Sequence, residues 1–280
     1  MSTTGERAAS TEADIDTIRE PTGLLATIGA APIELLQDLS GLRRTLVTTL
    51  RYTIRGRRDW RAIVEQMYSI GNRSVFFISV TMGFIGMIMI FQSGVQTKKI
   101  VPDLTLLGAN YIELLVRDFA ASIGAMMLAT RVGAGIAAEI GSMVVTEQTD
   151  ALRMCAADPI EYLVVPRFVA SVLMTTVLII WACFIAMMAG MLTANAIFDV
   201  NFRTFLNFSL VDRGDIVVFF AKCLAYGAAI PIVSAHRGLH TFGGSEGVGW
   251  ATTNAVVHSS LAVIVLNFII SSAGWLIFGS

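Results

Sequence analysis

The run SVFFISVTMGFIGMIMIFQSGVQT, Ser74–Thr97, contains no Asp, Glu, Lys or Arg. A helix needs about 20 mostly apolar residues to cross the hydrocarbon core of a bilayer, so this run predicts a transmembrane helix. Phe168–Phe198 and Gly247–Ser280 are free of the same four residue types. These runs predict two more transmembrane helices.

Two weaker candidate spans each carry one charge in their interior. Phe119–Ala138 is apolar except for Arg131, and Asp215–Ala235 is apolar beyond its first residue except for Lys222. The whole chain is 55% hydrophobic and 15% charged, whereas soluble domains have about 25% charged residues. The sequence therefore predicts an all-α integral membrane protein with five spans. Its formal net charge of −1 argues against a nucleic-acid partner, which needs a basic surface.

The distribution of Lys and Arg predicts the orientation of these spans, because cytoplasmic loops carry an excess of both. The basic residues on the predicted cytoplasmic side are Arg51, Arg55, Arg57, Arg58, Arg61, Arg73, Arg153, Arg167 and Arg237. Those on the opposite side are Lys98, Lys99, Arg203 and Arg213. The bias predicts a cytoplasmic N-terminus and an outward C-terminus.

Three regions follow from the same pattern. Residues 1–21 are polar and acidic, which predicts a disordered cytoplasmic tail. Residues 22–72 contain apolar runs too broken to span and an arginine cluster, which predicts an amphipathic segment lying in the membrane interface. Residues 73–280 form the five-span domain.

A charged insert, TEQTDALRMCAADPIEYL, Thr146–Leu163, separates the second and third predicted spans. A helical wheel predicts an amphipathic helix of about three turns over residues 143–158. Asp158-Pro159 is expected to end it, because the residue before proline disfavours the helical conformation. The wheel places Val144, Val145, Gln148, Ala151, Leu152 and Cys155 on one side and Thr146, Glu147, Thr149, Asp150 and Arg153 on the other. This cytoplasmic helix either has no partner or offers a docking site to another subunit.

Motifs of soluble enzymes occur without the context that they need. Gly243–Gly247 matches G-x-S-x-G around Ser245, but a nucleophile elbow requires a strand before it and a helix after it. His236 and His240 have the spacing of a zinc pair but lack the glutamate of H-E-x-x-H. None of the lysines lies in a P-loop motif. We therefore expect no catalytic residue, no metal site and no ATP hydrolysis by a P-loop in this chain.

Charged residues at membrane depth are functional candidates because burying them is costly. Lys222 lies well inside the fourth predicted span, and the pair Arg117-Asp118 lies at the outer end of the second. These charges either pair with one another and join helices, or line a cavity and meet the polar head of a ligand.

The segment ATRVGAGIAAEIGSMVVTEQTDALRMCAADPIEYLVVPR, Ala129–Arg167, resembles the central signature of the MlaE/YrbE permease family. That signature runs roughly as a G-R-x-G element, A-E-[IL]-G-x-M, T-E-Q, D-P and a later P-R. Further similar segments are Glu65–Gly71, Phe84–Met87 with Gln92, and Gly243–Ser260. The resemblance extends over about residues 60–280.

The resemblance implies the permease subunit of an ATP-binding-cassette lipid transporter in the bacterial inner membrane, with a periplasmic C-terminus. It implies three kinds of protein partner: a cytoplasmic ATPase, a substrate-binding protein with an MCE domain, and a second permease copy or paralogue. ATP and Mg would be bound by the ATPase, and this chain would hold no cofactor.

The resemblance also implies roles for two sets of residues. A coupling helix would dock on the ATPase through Thr146, Glu147, Gln148, Asp150, Arg153 and Asp158. Lipid would contact Phe84, Met87, Ile88 and Phe91 in the first span together with Arg117, Asp118 and Lys222. Asp118 stands where the family usually has Glu, and Ala120-Ala121 stand where Gly-Pro is common, which predicts an altered head-group contact.

We therefore expect a non-catalytic permease that moves phospholipid, or another hydrophobic lipid such as a sterol, through a cavity whose shape changes as the partner ATPases close. Two alternatives predict different observations. An ion-coupled secondary carrier would use Lys222 and Asp118 as a relay and depend on a proton gradient. A membrane enzyme acting through Ser245 would lose lipid hydrolysis on Ser245→Ala.

Overall fold

The computed structural model describes residues 40–54, 59–100 and 105–279. The chain divides into two units, residues 1–44 and residues 45–280. In the first unit the described residues, 40–44, are helical. The predicted tail, residues 1–21, and the predicted interfacial segment as far as residue 39 lie outside the described residues. The elements below belong to the second unit.

The described part of the second unit is helical and contains no strand. Residues 45–54 form α1. The α-helices that follow are α2 (Trp60–Ile100), α3 (Leu107–Leu114), α4 (Ala120–Leu128), α5 (Ala134–Val145), α6 (Gln148–Met154), α7 (Val165–Phe198), α8 (Phe202–Phe205), α9 (Arg213–Leu239) and α10 (Gly244–Phe278). Three π-helical turns connect some of them: Leu115–Phe119, Ala129–Gly133 and Ile160–Val164.

Within the described residues, four helical segments are long and apolar enough to cross a membrane. They are Trp60–Lys99, Ile160–Phe198, Arg213–Leu239 and Gly244–Phe278, and they correspond to the first, third, fourth and fifth predicted spans. The all-α membrane architecture is confirmed.

The other predicted span, Phe119–Ala138, is not among these four. It lies in a helical run, residues 107–145, that two π-helical turns divide into α3, α4 and α5. The longest of these pieces, α5, has 12 residues. One turn contains Arg117 and Asp118 and the other contains Arg131, and such turns are frequent at functional sites. A membrane crossing by this run stays a prediction.

The first spanning helix begins earlier than the sequence pattern indicates. α2 has 41 residues and starts at Trp60, so residues 60–72 continue this helix although they were assigned to the interfacial segment. About 20 residues suffice to cross the hydrocarbon core. The helix therefore projects beyond the core of the membrane.

The long helices meet through small residues. α2 packs along α7, and a Cβ added to Gly86 would lie 2.5 Å from the carbonyl oxygen of Ala186. A Cβ added to Gly227 in α9 would lie 3.0 Å from the Cα of Val172 in α7. Helix backbones thus touch at both positions, which is the packing that small residues permit in a bilayer.

Candidate functional site

Lys222 in α9 is buried and bonded to the π-helical turn Leu115–Phe119. Its Nζ lies 2.7 Å from Oδ1 of Asp118 and donates a second hydrogen bond, of 2.9 Å, to the carbonyl oxygen of Arg117. The side chain of Lys222 is 0% exposed, whereas that of Asp118 is 46% exposed. The ammonium is therefore enclosed by the helices, and the carboxylate is the part of the pair that a ligand can reach.

Arg117 stands between two further carboxylates. Its guanidinium lies 3.8 Å from Glu113 and 3.9 Å from Asp215. Asp215 is held in place because it forms a reciprocal capping box with Asp212 at the start of α9. We call Glu113, Arg117, Asp118, Asp215 and Lys222 the Lys222 cluster.

The structure thus brings the three charged lipid candidates, Arg117, Asp118 and Lys222, into one cluster. Sequence reasoning missed Glu113 and Asp215 as members. Glu113 was detectable, because it lies four residues before Arg117 and such pairs meet on one helix face. The sequence identified Asp215 only as the first residue of the fourth predicted span, and its contact with Arg117 depends on how α9 packs.

A small cavity adjoins the cluster where α9 and α10 meet. Arg117 and Asp215 line it together with Ser271 and Trp275, and its volume is about 30 Å³. A cavity of that volume holds no more than a few water molecules. The cavity within this chain is therefore too small for a lipid head group.

The four apolar lipid candidates lie on a different helix from the cluster. Phe84, Met87, Ile88 and Phe91 all lie on an exposed side of α2. The buried residues of the same stretch include Met82 and Ile90, which belong to the hydrophobic core. This exposed side is an apolar surface that the described residues of the chain do not cover.

The predicted helix over residues 143–158 is wrong in length. Thr146 and Glu147 form a turn, and Glu147 has a φ of 59°, a left-handed conformation that few residues other than glycine adopt. α5 therefore ends at Val145, and α6 has only 7 residues. Ala156, with a φ of 58°, lies in a second turn after α6.

Asp158-Pro159 does not end this helix, contrary to expectation, but begins the next one. Oδ1 of Asp158 accepts a hydrogen bond of 2.9 Å from the backbone N–H of Ile160. Pro159 is tolerated in a first helical turn, where its missing N–H is not needed. Oδ2 of Asp158 accepts a second bond of 2.9 Å from the hydroxyl of Tyr52 in α1, and this bond raises the pKa of Tyr52.

The exposed surface of α6 also differs from the predicted helical wheel. Thr149, assigned to the polar side, is buried, whereas Ala151 and Cys155, assigned to the apolar side, are exposed. The turn at Glu147 is the cause, because a single wheel assumes one continuous helix. The side chain of Met154 is 89% exposed.

The predicted docking residues nevertheless lie at this surface. Thr146, Glu147, Gln148, Asp150 and Arg153 are exposed, and Asp158 is half-buried. Asp150 and Arg153 form a solvent-exposed ion pair of 3.1 Å, and such pairs stabilise a fold little. We call residues 146–158 the α6 surface. It combines acidic and apolar side chains.

The enzyme-like motifs have no matching context in the described residues. Ser245 lies in the first turn of α10, and no strand precedes it there. The rings of His236 and His240 lie 4.3 Å apart at the end of α9. The described residues contain no group of three or more His, Cys, Asp or Glu side chains that could hold a metal ion.

Known proteins resemble this chain over most of its length. The family model described as Permease MlaE matches residues 63–273, a range that includes the Lys222 cluster and the α6 surface. A probable ABC transporter permease protein of Synechocystis sp. is 38% identical over 229 residues, which are 81% of this chain and 86% of that protein.

Two further relatives carry more informative names. The intermembrane phospholipid transport system permease protein MlaE of Haemophilus influenzae is 32% identical over 222 residues, covering 77% of this chain and 84% of that protein. The chloroplastic protein TRIGALACTOSYLDIACYLGLYCEROL 1 of Arabidopsis thaliana is 32% identical over 227 residues, covering 78% of this chain and 63% of that protein.

Proposed function

This chain belongs to the MlaE permease family, and we propose that it is the membrane-spanning subunit of an ATP-driven transporter of phospholipid or another hydrophobic lipid. The observation that carries the proposal is the family match over residues 63–273, supported by the phospholipid transport system named for the relative from Haemophilus influenzae. The permease itself is not an enzyme. ATP and Mg bind to a separate ATPase subunit.

In this proposal the ATPase docks on the α6 surface. The surface is exposed and combines Met154 with the acidic residues Glu147 and Asp150, and buried apolar anchors surrounded by polar residues are typical of protein interfaces. The hydrogen bond from Tyr52 to Asp158 links the α6 surface to α1. Asp158 also bonds the start of the π-helical turn Ile160–Val164, which leads into α7. Movement of the docked ATPase is therefore passed to both α1 and α7.

Lipid tails contact the exposed side of α2 at Phe84, Met87, Ile88 and Phe91. A second copy of the permease, or a paralogue, faces this side and completes the cavity, and a substrate-binding protein with an MCE domain meets its periplasmic opening. Arg117 and Asp118 contact the head group through their exposed parts. Lys222, which is buried, acts on the head group by holding Asp118 in place.

The complex lies in the bacterial inner membrane with the N-terminus of this chain in the cytoplasm and its C-terminus in the periplasm. Arginines before the first span support this orientation, because positive residues favour the cytoplasmic side. Labelling of single cysteines placed near either terminus, from one side of intact cells, tests it.

Transport by the reconstituted complex tests the function. The permease, its ATPase and its MCE-domain partner are placed in vesicles with a fluorescent phospholipid. We expect transfer that requires ATP and stops with vanadate. Transfer that follows a proton gradient and ignores vanadate would replace this proposal with an ion-coupled carrier using Lys222 and Asp118. Lipid hydrolysis that is lost in Ser245→Ala would replace it with an enzyme.

Mass spectrometry of lipid that co-purifies with the intact complex identifies the substrate. We expect a phospholipid or another hydrophobic lipid at a fixed ratio to the permease. A preparation that transports in vesicles yet retains no lipid would contradict a stable binding cavity.

A further inference from the structure

A polar cleft opens between α2 and the helical run that contains α5. Gln66, Ser69 and Arg73 line it from α2, and Arg131 and Glu139 line it from the other side; its volume is about 190 Å³. Arg73 directly precedes the first predicted span, and Glu139 directly follows the second. The predicted orientation therefore places the cleft at the cytoplasmic end of both, opposite to the Lys222 cluster.

Arg73 and Arg131 line this cleft from opposite sides. Nε of Arg131 donates a hydrogen bond of 2.8 Å to the carbonyl oxygen of Arg73, and both side chains are exposed. Among the residues that the structure describes, no carboxylate lies within ion-pair distance of either guanidinium group. Two positive side chains that line the same cleft favour the binding of an anion.

The carboxylate that lines the cleft is already paired. Oε2 of Glu139 lies 3.0 Å from Nη2 of Arg167, whose side chain is buried. Nε and Nη1 of Arg167 have no hydrogen-bond partner among the described residues. Glu139 therefore neutralises the charge of Arg167. It does not neutralise Arg73 or Arg131, the two arginines of the cleft.

The cleft has space for a small polar group. A Cβ added to Gly135, which lines it, would meet no atom within 4 Å. Pockets for drug-sized ligands have volumes of about 300–1,000 Å³, so this cleft suits a head-group phosphate rather than a whole lipid. The side chains of Gln66 and Ser69 supply neutral hydrogen-bond donors beside the two guanidinium groups.

An apolar surface leads away from the cleft along α2. Phe76, Val80 and Phe84 follow Arg73 at steps of three or four residues, which places them on one face of the helix, and all three are exposed. Acyl chains can lie along this face while the phosphate stays in the cleft. This face ends at Phe84, which is one of the residues that contact lipid tails in the proposed function.

We propose that this cleft binds the phosphate group of a phospholipid in the cytoplasmic leaflet, with Arg73 and Arg131 as its cationic ligands. Guanidinium groups suit this role because they donate paired, charge-assisted hydrogen bonds to phosphate. The site deepens the proposed lipid transport and rests on it. It gives the permease a head-group site at the cytoplasmic side, where lipid enters or leaves.

Binding of matched lipids to the purified permease–ATPase complex in detergent tests the site. The probes are a fluorescent phosphatidylglycerol, a diacylglycerol with the same acyl chains and label, and inorganic phosphate as a competitor. We expect Arg73→Gln and Arg131→Gln each to weaken phosphatidylglycerol binding about tenfold, since each removes a charge-assisted hydrogen bond. Diacylglycerol, which lacks the phosphate, is expected to bind more weakly and equally to all variants.

Two matched variants separate the cleft from general effects of charge or folding. Arg61→Gln removes an exposed arginine of α2 outside the cleft, and it is expected to bind as wild type. Gly135→Leu fills the cleft while keeping both arginines, and it is expected to weaken phosphatidylglycerol binding. Only variants that retain the ATPase and the wild-type elution volume are compared.

Several outcomes would overturn the site. One is equal phosphatidylglycerol binding by Arg73→Gln, Arg131→Gln and the control Arg61→Gln. Another is unchanged phosphatidylglycerol binding by Gly135→Leu. A third is displacement of the lipid by inorganic phosphate, which would indicate a free-anion site. ATP-dependent transfer by the wild type is measured in parallel. Absence of ATP-dependent transfer by the wild type would contradict the proposed function. Normal transfer by the wild type, together with unchanged phosphatidylglycerol binding by the cleft variants, would contradict only the proposed head-group site in the cleft.

Discussion

Nζ of Lys222 lies 2.7 Å from Oδ1 of Asp118, and the two partners differ in exposure, at 0% and 46% of their side chains. A charge at this depth is costly unless it is paired. The pair therefore joins α9 to the π-helical turn before α4 and leaves one carboxylate edge accessible.

Asp118→Ala is expected to destabilise the permease, because among the described residues it leaves the buried ammonium of Lys222 with only the Arg117 carbonyl as acceptor. Removing one partner of a buried pair costs about 3–5 kcal/mol, and the exposure of Asp118 favours the lower end of that range. The midpoint of thermal unfolding in detergent measures the effect. The double variant Asp118→Ala/Lys222→Met is expected to recover stability, since the unpaired charge is gone. A double variant no more stable than Asp118→Ala would contradict this explanation.

Gly86→Ala is expected to loosen the contact between α2 and α7, because the new Cβ would lie 2.5 Å from the Ala186 carbonyl oxygen. Overpacking of this kind costs about 1–3 kcal/mol. Gly83→Ala is the control on the same helix, since its Cβ would lie an ordinary 3.6 Å from the nearest atom, in Ile185. The midpoint of thermal unfolding is measured for both variants. Equal midpoints would contradict the prediction, because they would show that the backbones of α2 and α7 can separate at no cost.

Charge reversal by Glu147→Lys and Asp150→Lys is expected to abolish co-purification of the ATPase without unfolding the permease. Both residues are exposed. In the proposed docking, this acidic surface faces a basic surface of the ATPase, so the new lysines would meet like charges, which cost several kcal/mol across an interface, on the order of a 100-fold loss of affinity. The amount of ATPase retained on the tagged permease is measured. Glu65→Lys, an exposed reversal on α2, is the control. Retention of the ATPase by the double reversal would refute docking at the α6 surface.

Tyr52→Phe is expected to release Asp158 from α1, because the hydroxyl that donates the 2.9 Å hydrogen bond is removed. Hydrogen–deuterium exchange at residues 155–160 is expected to become faster at neutral pH. Tyr68→Phe, at an exposed tyrosine of α2, is expected to leave that exchange unchanged. Similar exchange in Tyr52→Phe and wild type would show that the bond does not order the α6 surface.

The hydrogen bond from Tyr52 to Asp158 also predicts that its stabilising effect is lost at alkaline pH. The hydrogen bond to Asp158 raises the pKa of Tyr52, so its stabilising effect is complete below the ordinary tyrosine pKa of about 10. The effect is lost as pH rises through the raised pKa. A tyrosinate absorbance titration of wild type minus Tyr52→Phe measures this pKa, and a value at or below the ordinary one would contradict the bond.

The spanning helices were predictable because their signal is local. A charge-free run long enough to cross a bilayer has few alternatives to a helix, since unsatisfied backbone groups are costly in lipid. Four predicted spans correspond to long apolar helices of the structure. The early start of α2 at Trp60 was not predictable from apolarity, because a helix can continue past the membrane core.

The α6 surface was only partly predictable. The acidic residues identified an exposed insert, and they are exposed. The helical wheel failed because the left-handed turn at Glu147 separates α6 from α5. Nothing in the residue types at that turn signals a left-handed backbone, so the orientation of α6 had to come from the structure.

The sequence by itself determined the class of the molecule, its family and the positions of its apolar spans, because these depend on composition and on short motifs along the chain. Tertiary structure alone decided which distant polar groups meet. Lys222 pairs with Asp118, 104 positions away, and Arg131 reaches Arg73, 58 positions away. Such contacts depend on the packing of helices against one another, which no spacing along a single helix encodes.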